Sequence, residues 1–240
     1  TTYQTQYYAK MRTEFDAGLR ALDGIVALTE TDLAGFSQYN HTTKIWNPLT
    51  IVPDGRADLS QHTIALTSRI AIEHKGLDLA LAFAAKLPHD WQLAIAGGGT
   101  DSDVSRFHSL VEQNHVADKL IYRGALKDEA LKKHYRAASI FLQTSRWEGL
   151  PLVLAEAMSF GLPVVAMYNT GSAEVLESGK YGLITPATDV NALYDAIRPL
   201  LNNIQLREEY AQRSLQRVED FKIAPILAQW EAILSPTFDN

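Results

Sequence analysis

TIALTSRIAIEHKGLDLALAFAAKLPHDWQLAIAGGG, residues 63–99, begins and ends on short apolar runs, TIALTSRI (63–70) and WQLAIAG (91–97). Between them lies a helical stretch over 75–87. Two β-rich runs flanking a helix-period segment make a βαβ unit, whose strands lie parallel. Both runs are almost continuously apolar, as strands are when helices cover both faces of their sheet.

The alternation continues downstream. A helix is expected over 102–115, then a strand at KLIYRG (119–124), a helix over 127–137 and a strand at SIFLQTS (139–145). A helix over 150–160 follows, and LPVVAM (162–167) and YGLITP (181–186) each lead into helical sequence. The expected fold is α/β, a doubly wound parallel sheet of Rossmann-like type. Ligands of such sheets bind beyond the carboxyl ends of the strands, so the loops there are the place to look.

Upstream, a helix over 6–22 precedes a strand at Gly24–Thr29, which runs into a helix capped near Thr29 or Thr31. TKIWNPLTI holds a second short strand ending at Asn47-Pro48, and VPDGRADLSQ (52–61) has the Pro, Gly and Asp content of a linker. Helical segments over 205–220 and 224–235 meet near Lys222–Pro225. The expected division is 1–52, the tail of another domain with its linker; 53–221, the doubly wound domain; and 222–240, a C-terminal helix. The opening TTYQTQYYAKMRTEF lacks an initiator Met and reads as mid-helix, as in a piece excised from a longer chain.

Composition narrows the partners. The 22 Lys and Arg against 28 Asp and Glu give a formal charge of −6, without the dense basic face that nucleic acid or an anionic membrane demands. With no cysteine there is neither disulfide nor thiolate-bound metal, which fits a cytoplasmic setting. The apolar stretch Leu77–Ala85 is broken by Asp78 and falls short of the ~18–20 residues of a membrane span. The seven histidines form neither an i, i+4 pair nor an HExxH pattern, so no metal site is expected. Ser145 lacks a Gly-x-Ser-x-Gly setting for nucleophilic chemistry, and Trp46, Trp91, Trp147 and Trp230 read as packing residues, with Trp147 able to flank a site at Glu148.

RWEGLPLVLAEAMSFGLPVVA (146–166) is where chemistry concentrates. It follows a strand, offers Gly149 for close approach and opens a helix with Pro151 in its first turn. The free N–H groups of a helix start cradle phosphate, here along Gly149, Leu150, Pro151 and Leu152, of which Pro151 has no N–H to offer and only shapes the turn. Glu156 stands eight residues after Glu148. A helical rise of ~1.5 Å per residue displaces the second carboxylate by roughly 12 Å, about the span from a donor sugar to a ribose across one diphosphate.

The stretch EGLPLVLAEAMSFGLPVVA resembles, without departure, the signature of the retaining family 4 (group 1) glycosyltransferases of GT-B type. The resemblance covers about residues 20–235. It implies that the chain is the C-terminal, nucleotide-sugar-binding domain with a remnant of the N-terminal acceptor domain, and that the last helix, with Trp230, crosses back onto that remnant. It implies that Glu156 binds ribose hydroxyls and Glu148 contacts the donor sugar. SRIAIEHKGLDLAL (68–81) resembles the family's strand–loop segment, so Arg69 and Lys75 would clamp the diphosphate; Ser68 stands where many relatives have Gly. AIAGGGTDSD (94–103) resembles the Gly-rich turn that approaches the nucleotide at Gly98. It is not the G-x-G-x-x-G of a dinucleotide site, and its Asp101-Ser102-Asp103 is not read as a metal motif. In YRGALKDEALKKHYRAASIFLQTS (122–145), Arg123, Gly124 and Leu126 match the loop that cups the base. Asn169–Gly171 and Ser172–Glu174 match a loop near the donor sugar.

The function so implied is transfer of a sugar, with retention, from a nucleoside-diphosphate sugar to an acceptor hydroxyl in cell-surface polysaccharide or glycoconjugate synthesis. UDP is the first nucleotide by family frequency. No cofactor or metal is expected. The acceptor, a sugar, lipid-linked or polymeric, would be held by the missing N-terminal domain, and any peripheral membrane contact would belong to the full-length protein. A fragment of this kind should bind donor yet transfer little or no sugar alone. Two rivals stay open: a non-catalytic nucleotide-sugar-binding module, and a sugar-phosphate enzyme of the same fold. Loss of either glutamate would favour the first, and a degraded 148–166 pattern the second.

Overall fold

The computed structural model describes residues 6–234. The first elements are α1 (Gln6–Arg20), β1 (Ile25–Ala27), α2 (Glu30–Phe36) and β2 (Thr42–Lys44). β1 and β2 pair parallel as a small sheet of their own. Both strands are shorter than expected: β2 stops before Trp46, well short of Asn47-Pro48. Thr29 caps α2, its hydroxyl accepting from the Asp32 N–H at 3.1 Å, which settles the choice between Thr29 and Thr31.

After the connecting stretch come β3 (Thr63–Thr67), α3 (Ile72–Lys75), α4 (Leu77–Ala84), β4 (Gln92–Ala96), α5 (Asp101–Gln113), β5 (Leu120–Tyr122) and α6 (Asp128–Arg136). The second half holds β6 (Ile140–Gln143), α7 (Leu152–Ser159), β7 (Val164–Met167), α8 (Thr170–Val175), β8 (Leu183–Thr185), α9 (Val190–Asn202), α10 (Ile204–Arg217) and α11 (Ile223–Leu234). All six strands β3–β8 run parallel in the order β5-β4-β3-β6-β7-β8. This is the Rossmann order 3-2-1-4-5-6, and it reverses between β3 and β6.

Strand residues alternate between two cores. Ile64, Leu66, Leu93, Ile95, Ile140 and Leu142 face one side of the sheet, packing with Leu81, Phe107 and Ile197 from α4, α5 and α9. Ala65, Phe141, Val164 and Ala166 face the other, with Tyr135, Leu154 and Met158 from α6 and α7. A period of two with both sets apolar explains why the strands read as unbroken runs.

The helix expected over 75–87 is two helices. Gly76 takes φ +62° between α3 and α4, and a Cβ there would stand 2.0 Å from the Thr144 carbonyl oxygen. A left-handed residue with no room for a side chain must be glycine. The close approach brings the loop after β3 against the end of β6, on either side of the reversal point.

At the other end of the chain, α10 gives way to a single 3-10 turn over Val218–Phe221 before α11 starts at Ile223. The break therefore falls at Lys222, with Pro225 in the first turn of α11, where it needs no N–H partner. The expected helix over 224–235 runs past Leu234, outside the described residues. Trp230 and Ile233 of α11 face Ile25 and Thr43 across a groove beside the small sheet.

The segment Lys44–Trp46 is fastened to the larger sheet. Trp46 stacks on Phe221 with ring centroids 4.7 Å apart, and the buried Arg217 guanidinium lies over the Trp46 ring at 4.6 Å. Arg217 also donates to the carbonyls of Val175 and Glu174, at 2.8 and 2.9 Å. Among the described residues no helix is long and apolar enough to cross a membrane.

Candidate functional site

A cleft of about 420 Å³ opens at the carboxyl ends of β3 and β4, beside the reversal of strand order. The strand order dictates this position: the ends of parallel strands whose crossovers lead to opposite faces leave a crevice between them. Three loops and one helix start build its walls.

The first wall is the loop after β3. It carries Arg69, exposed and without an ion-pair partner among the described residues, and Lys75 at the end of α3. The second is the start of α7. Pro151 occupies the N-cap position and no side chain caps the helix. By contrast Thr100, Asn169, Asp189 and Asn203 cap α5, α8, α9 and α10 with their side chains. Leu150, Pro151 and Leu152 all line the cleft, so the positive end of α7 faces its interior. The third wall brings Gly98 after β4 together with Leu126 after β5.

The two glutamates sit at different points of this surface. Glu148 precedes α7 in a non-helical loop, and Lys75 Nζ lies 2.5 Å from its Oε1, with the side chains only 12% and 15% exposed. Because 148–151 is not helical, the helical rise does not measure the separation of Glu148 from Glu156, and Pro151 is the cap rather than a first-turn residue. Both corrections have one cause: the loop must turn over the end of β6 before the helix can start. Glu156 lies inside α7, lines the same cleft and accepts a 2.7 Å hydrogen bond from the Tyr135 hydroxyl at Oε2. Burial, then the Glu156 charge, push the Tyr135 phenol well above its ordinary range, so it stays protonated.

Two further contacts fix the Glu148 loop. Arg146 donates to both Asp78 oxygens at 2.9 and 2.6 Å and to the Glu73 carbonyl at 2.8 Å. Burial would raise the Asp78 carboxyl, but Arg146 holds it below the usual carboxylate range. His74 stacks on Trp147 with centroids 4.9 Å apart and 7° between planes. Trp147, 56% exposed, thus stands at the edge of the Glu148 loop.

Below the loop, α8 presses upward. A Cβ on Gly171 would lie 2.3 Å from the Gly149 carbonyl oxygen and 2.9 Å from that of Glu148. Asn169 caps α8 and donates to the Ser145 carbonyl at 3.0 Å, and Ser172 donates to Asn169 Oδ1 at 3.0 Å. At its far end Glu174 accepts from the Glu30 N–H, Lys44 Nζ and Trp46 Nε1 at 3.1, 2.8 and 3.0 Å. Burial opposes its charge, yet these donors hold the Glu174 carboxyl below the ordinary range.

Of the residues singled out in the sequence, Arg69, Lys75, Gly98, Leu126, Glu148, Leu150, Pro151, Leu152 and Glu156 meet in the cleft. Arg123, Gly124 and Gly149 do not line it. Arg123 continues the β5 ladder, its N–H donating to Ile95 at 2.9 Å, and the Gly124 carbonyl accepts from the Gly97 N–H at 2.8 Å. Ala125 lines the cleft beside Leu126. Gly149 is turned toward Gly171 beneath the loop. Ala125 falls within the 123–126 loop expected to cup the base, whereas sequence reasoning passed over Thr67 and Tyr135. Tyr135 and Leu131, four apart on α6, carry only the signal of a packed helix face.

The cleft thus offers two cationic side chains, a helix N-terminus and two carboxylates, a set suited to a diphosphate flanked by hydroxyl-bearing groups. Residues 55–217 match the family described as glycosyl transferases group 1. The chain is 30% identical over 221 residues to an uncharacterized glycosyltransferase of Haemophilus influenzae, covering 88% of this chain and 61% of that protein. The fold is shared with Anabaena HepE in complex with UDP and glucose: TM-score 0.82, 19% identity, 95% of this chain and 67% of that one. It is shared as well with a mutant of S. aureus TarM in complex with Fondaparinux, alpha-GlcNAc-glycerol and UDP, at TM-score 0.81 and 22% identity over 95% of this chain and 47% of that one.

Proposed function

The chain belongs to the group 1 glycosyl transferases, and from that premise we propose that its cleft binds a nucleoside-diphosphate sugar for transfer, with retention, to an acceptor hydroxyl. The observation that carries this reading is the meeting of Arg69, Lys75, Glu148, Glu156 and the uncapped start of α7 in one cleft. Arg69, Lys75 and the helix start offset the two charges of a departing diphosphate. Glu148 accepts from donor-sugar hydroxyls, and Glu156 from the ribose. The acceptor oxygen bonds to the anomeric carbon on the face the diphosphate leaves, and its proton passes to the leaving phosphate oxygen.

The cationic residues and the helix supply the charge compensation that a metal supplies elsewhere, so the donor is held without one. The chain spans 61% of the Haemophilus relative's length. The acceptor, a sugar or glycoconjugate of the polysaccharide class, is assigned to the part of the protein that precedes this domain, with residues up to 52 as its tail. UDP heads the order of trial because HepE and TarM, which share the fold, are described with UDP.

The test is calorimetric titration of the chain with UDP, GDP and ADP in EDTA, beside a Glu156→Ala variant. Saturable binding of one nucleotide is expected, weakened in the variant by about 1.5–3 kcal/mol for a lost hydrogen bond to a charged group. Failure of all three nucleotides to bind would sink the reading for this domain.

A further inference from the structure

Among the described residues, Tyr135 is the one buried titratable side chain in contact with the cleft carboxylates that the proposed chemistry leaves unused. It is fully buried at the end of α6, its ring stacked on Phe160 at 5.2 Å and tilted against Phe141 at 6.0 Å. From there its hydroxyl reaches Glu156 Oε2 on the neighbouring helix, at 2.7 Å. Glu156 Oε1 has no hydrogen-bond partner among the described residues. The carboxylate is thus held by one oxygen from below and left with the other to receive a ligand.

We infer that Tyr135 is the positioning residue for Glu156: its phenol pins one carboxylate oxygen so that the other meets the ribose 2′- and 3′-hydroxyls of the bound nucleotide. The inference rests on the nucleotide-sugar reading above and deepens it, since it makes ribose recognition depend on a residue that never touches the ligand. A Glu side chain in a helix has three rotatable bonds, and fixing its plane beforehand lowers the entropy lost on binding. Two aromatic neighbours fix the tyrosine ring, so the phenol is itself a fixed donor. A carboxylate accepting one strong internal hydrogen bond keeps lone pairs on both oxygens, enough for a vicinal diol.

The experiment measures, by calorimetry on the 240-residue chain, the tightest-binding of UDP, GDP and ADP and its 2′,3′-dideoxy analogue. The ratio of the two affinities reads ribose recognition and cancels effects on the base and the phosphates. It is compared in the native chain, Tyr135→Phe and Glu156→Ala. Phe keeps the ring stack, and thermal melting checks that Tyr135→Phe stays folded. The native ratio is expected to be roughly 10–100-fold, and Tyr135→Phe to reduce it roughly 3–10-fold while the dideoxy analogue binds as before. A ratio that collapses in Glu156→Ala but is native in Tyr135→Phe overturns the positioning role and leaves the site reading intact. A ratio that survives in Glu156→Ala, or no binding of any nucleotide, overturns both. A uniform loss for both ligands in Tyr135→Phe shows a merely structural role and also overturns the inference.

Discussion

The Lys75 ammonium lies 2.5 Å from Glu148 Oε1, joining the loop after β3 to the loop before α7 across the point where strand order reverses. Each side chain is the other's partner, and on the proposed function a diphosphate entering the cleft should compete with Glu148 for Lys75. Lys75→Met should weaken UDP binding roughly 10–100-fold, since it removes a charge-assisted contact and leaves the Glu148 charge facing the phosphates. Glu148→Gln should leave UDP affinity equal or higher, because the competitor for Lys75 is neutral. Calorimetric titration at low salt, with uridine as a phosphate-free control, reads both. Equal losses in the two variants would refute the competition.

Gly171 tests the Glu148 loop from below. Gly171→Ala places a methyl 2.3 Å from one carbonyl oxygen and 2.9 Å from another, neither able to swing aside as a flexible side chain does. Overpacking of this kind costs about 1–3 kcal/mol. The expected outcome is a lowered melting temperature together with at least a tenfold loss of nucleotide affinity, read by melting and by titration of tryptophan fluorescence. Native affinity at a lowered melting temperature would mean that the strain is absorbed in α8 rather than in the loop.

The sheet was legible from residues 63–99 because strands buried on both faces leave an apolar run that no exposed element imitates. The cleft was legible where chain position suffices: Arg69, Lys75, Gly98 and the stretch from Leu150 to Leu152 all lie just past strand ends. Pairing across the sheet was not. That Gly97 hydrogen-bonds Gly124 depends on residues 27 apart, each just past the end of one of two neighbouring strands. Tyr135 was hidden for a related reason, since an aromatic on the core face of a helix reads as packing whether or not its hydroxyl has a partner. The split at Gly76 was hidden because its cause, the Thr144 carbonyl, lies 68 residues away.

Glu174 joins the small β1–β2 unit to α8. Its carboxylate serves three donors, and Lys44 and Trp46 Nε1 lose an acceptor when it is removed. Glu174→Ala should cost about 1–3 kcal/mol for the groups left unsatisfied. Hydrogen exchange should show the loss as faster exchange in residues 25–46, with the six-stranded sheet protected as before. Uniform destabilisation of both sheets would show instead that the two unfold as one cooperative unit.

His134 gives the fold an acid-sensitive point. It is 3% exposed on α6, and burial, then the nearby Arg123 charge, press its pKa down to about 4 from the ordinary 6.5. The folded chain therefore keeps the ring neutral while the unfolded chain protonates it below 6.5, so the unfolded state binds more protons and stability falls with acid. The loss begins as pH drops through 6.5 and is complete below about 4. Between pH 7 and 5 it amounts to about 2 kcal/mol. Asp78, Glu174 and Asp58, whose carboxyls lie below their ordinary values, remain largely ionised in both states over that window and add their own loss only at lower pH. His134→Phe, which keeps an aromatic ring but cannot take a proton, should flatten this part of the profile. Urea unfolding at pH 7 and pH 5 checks it: the native midpoint falls and the variant's holds. A variant midpoint that falls as steeply as the native one would place the acid sensitivity in another group.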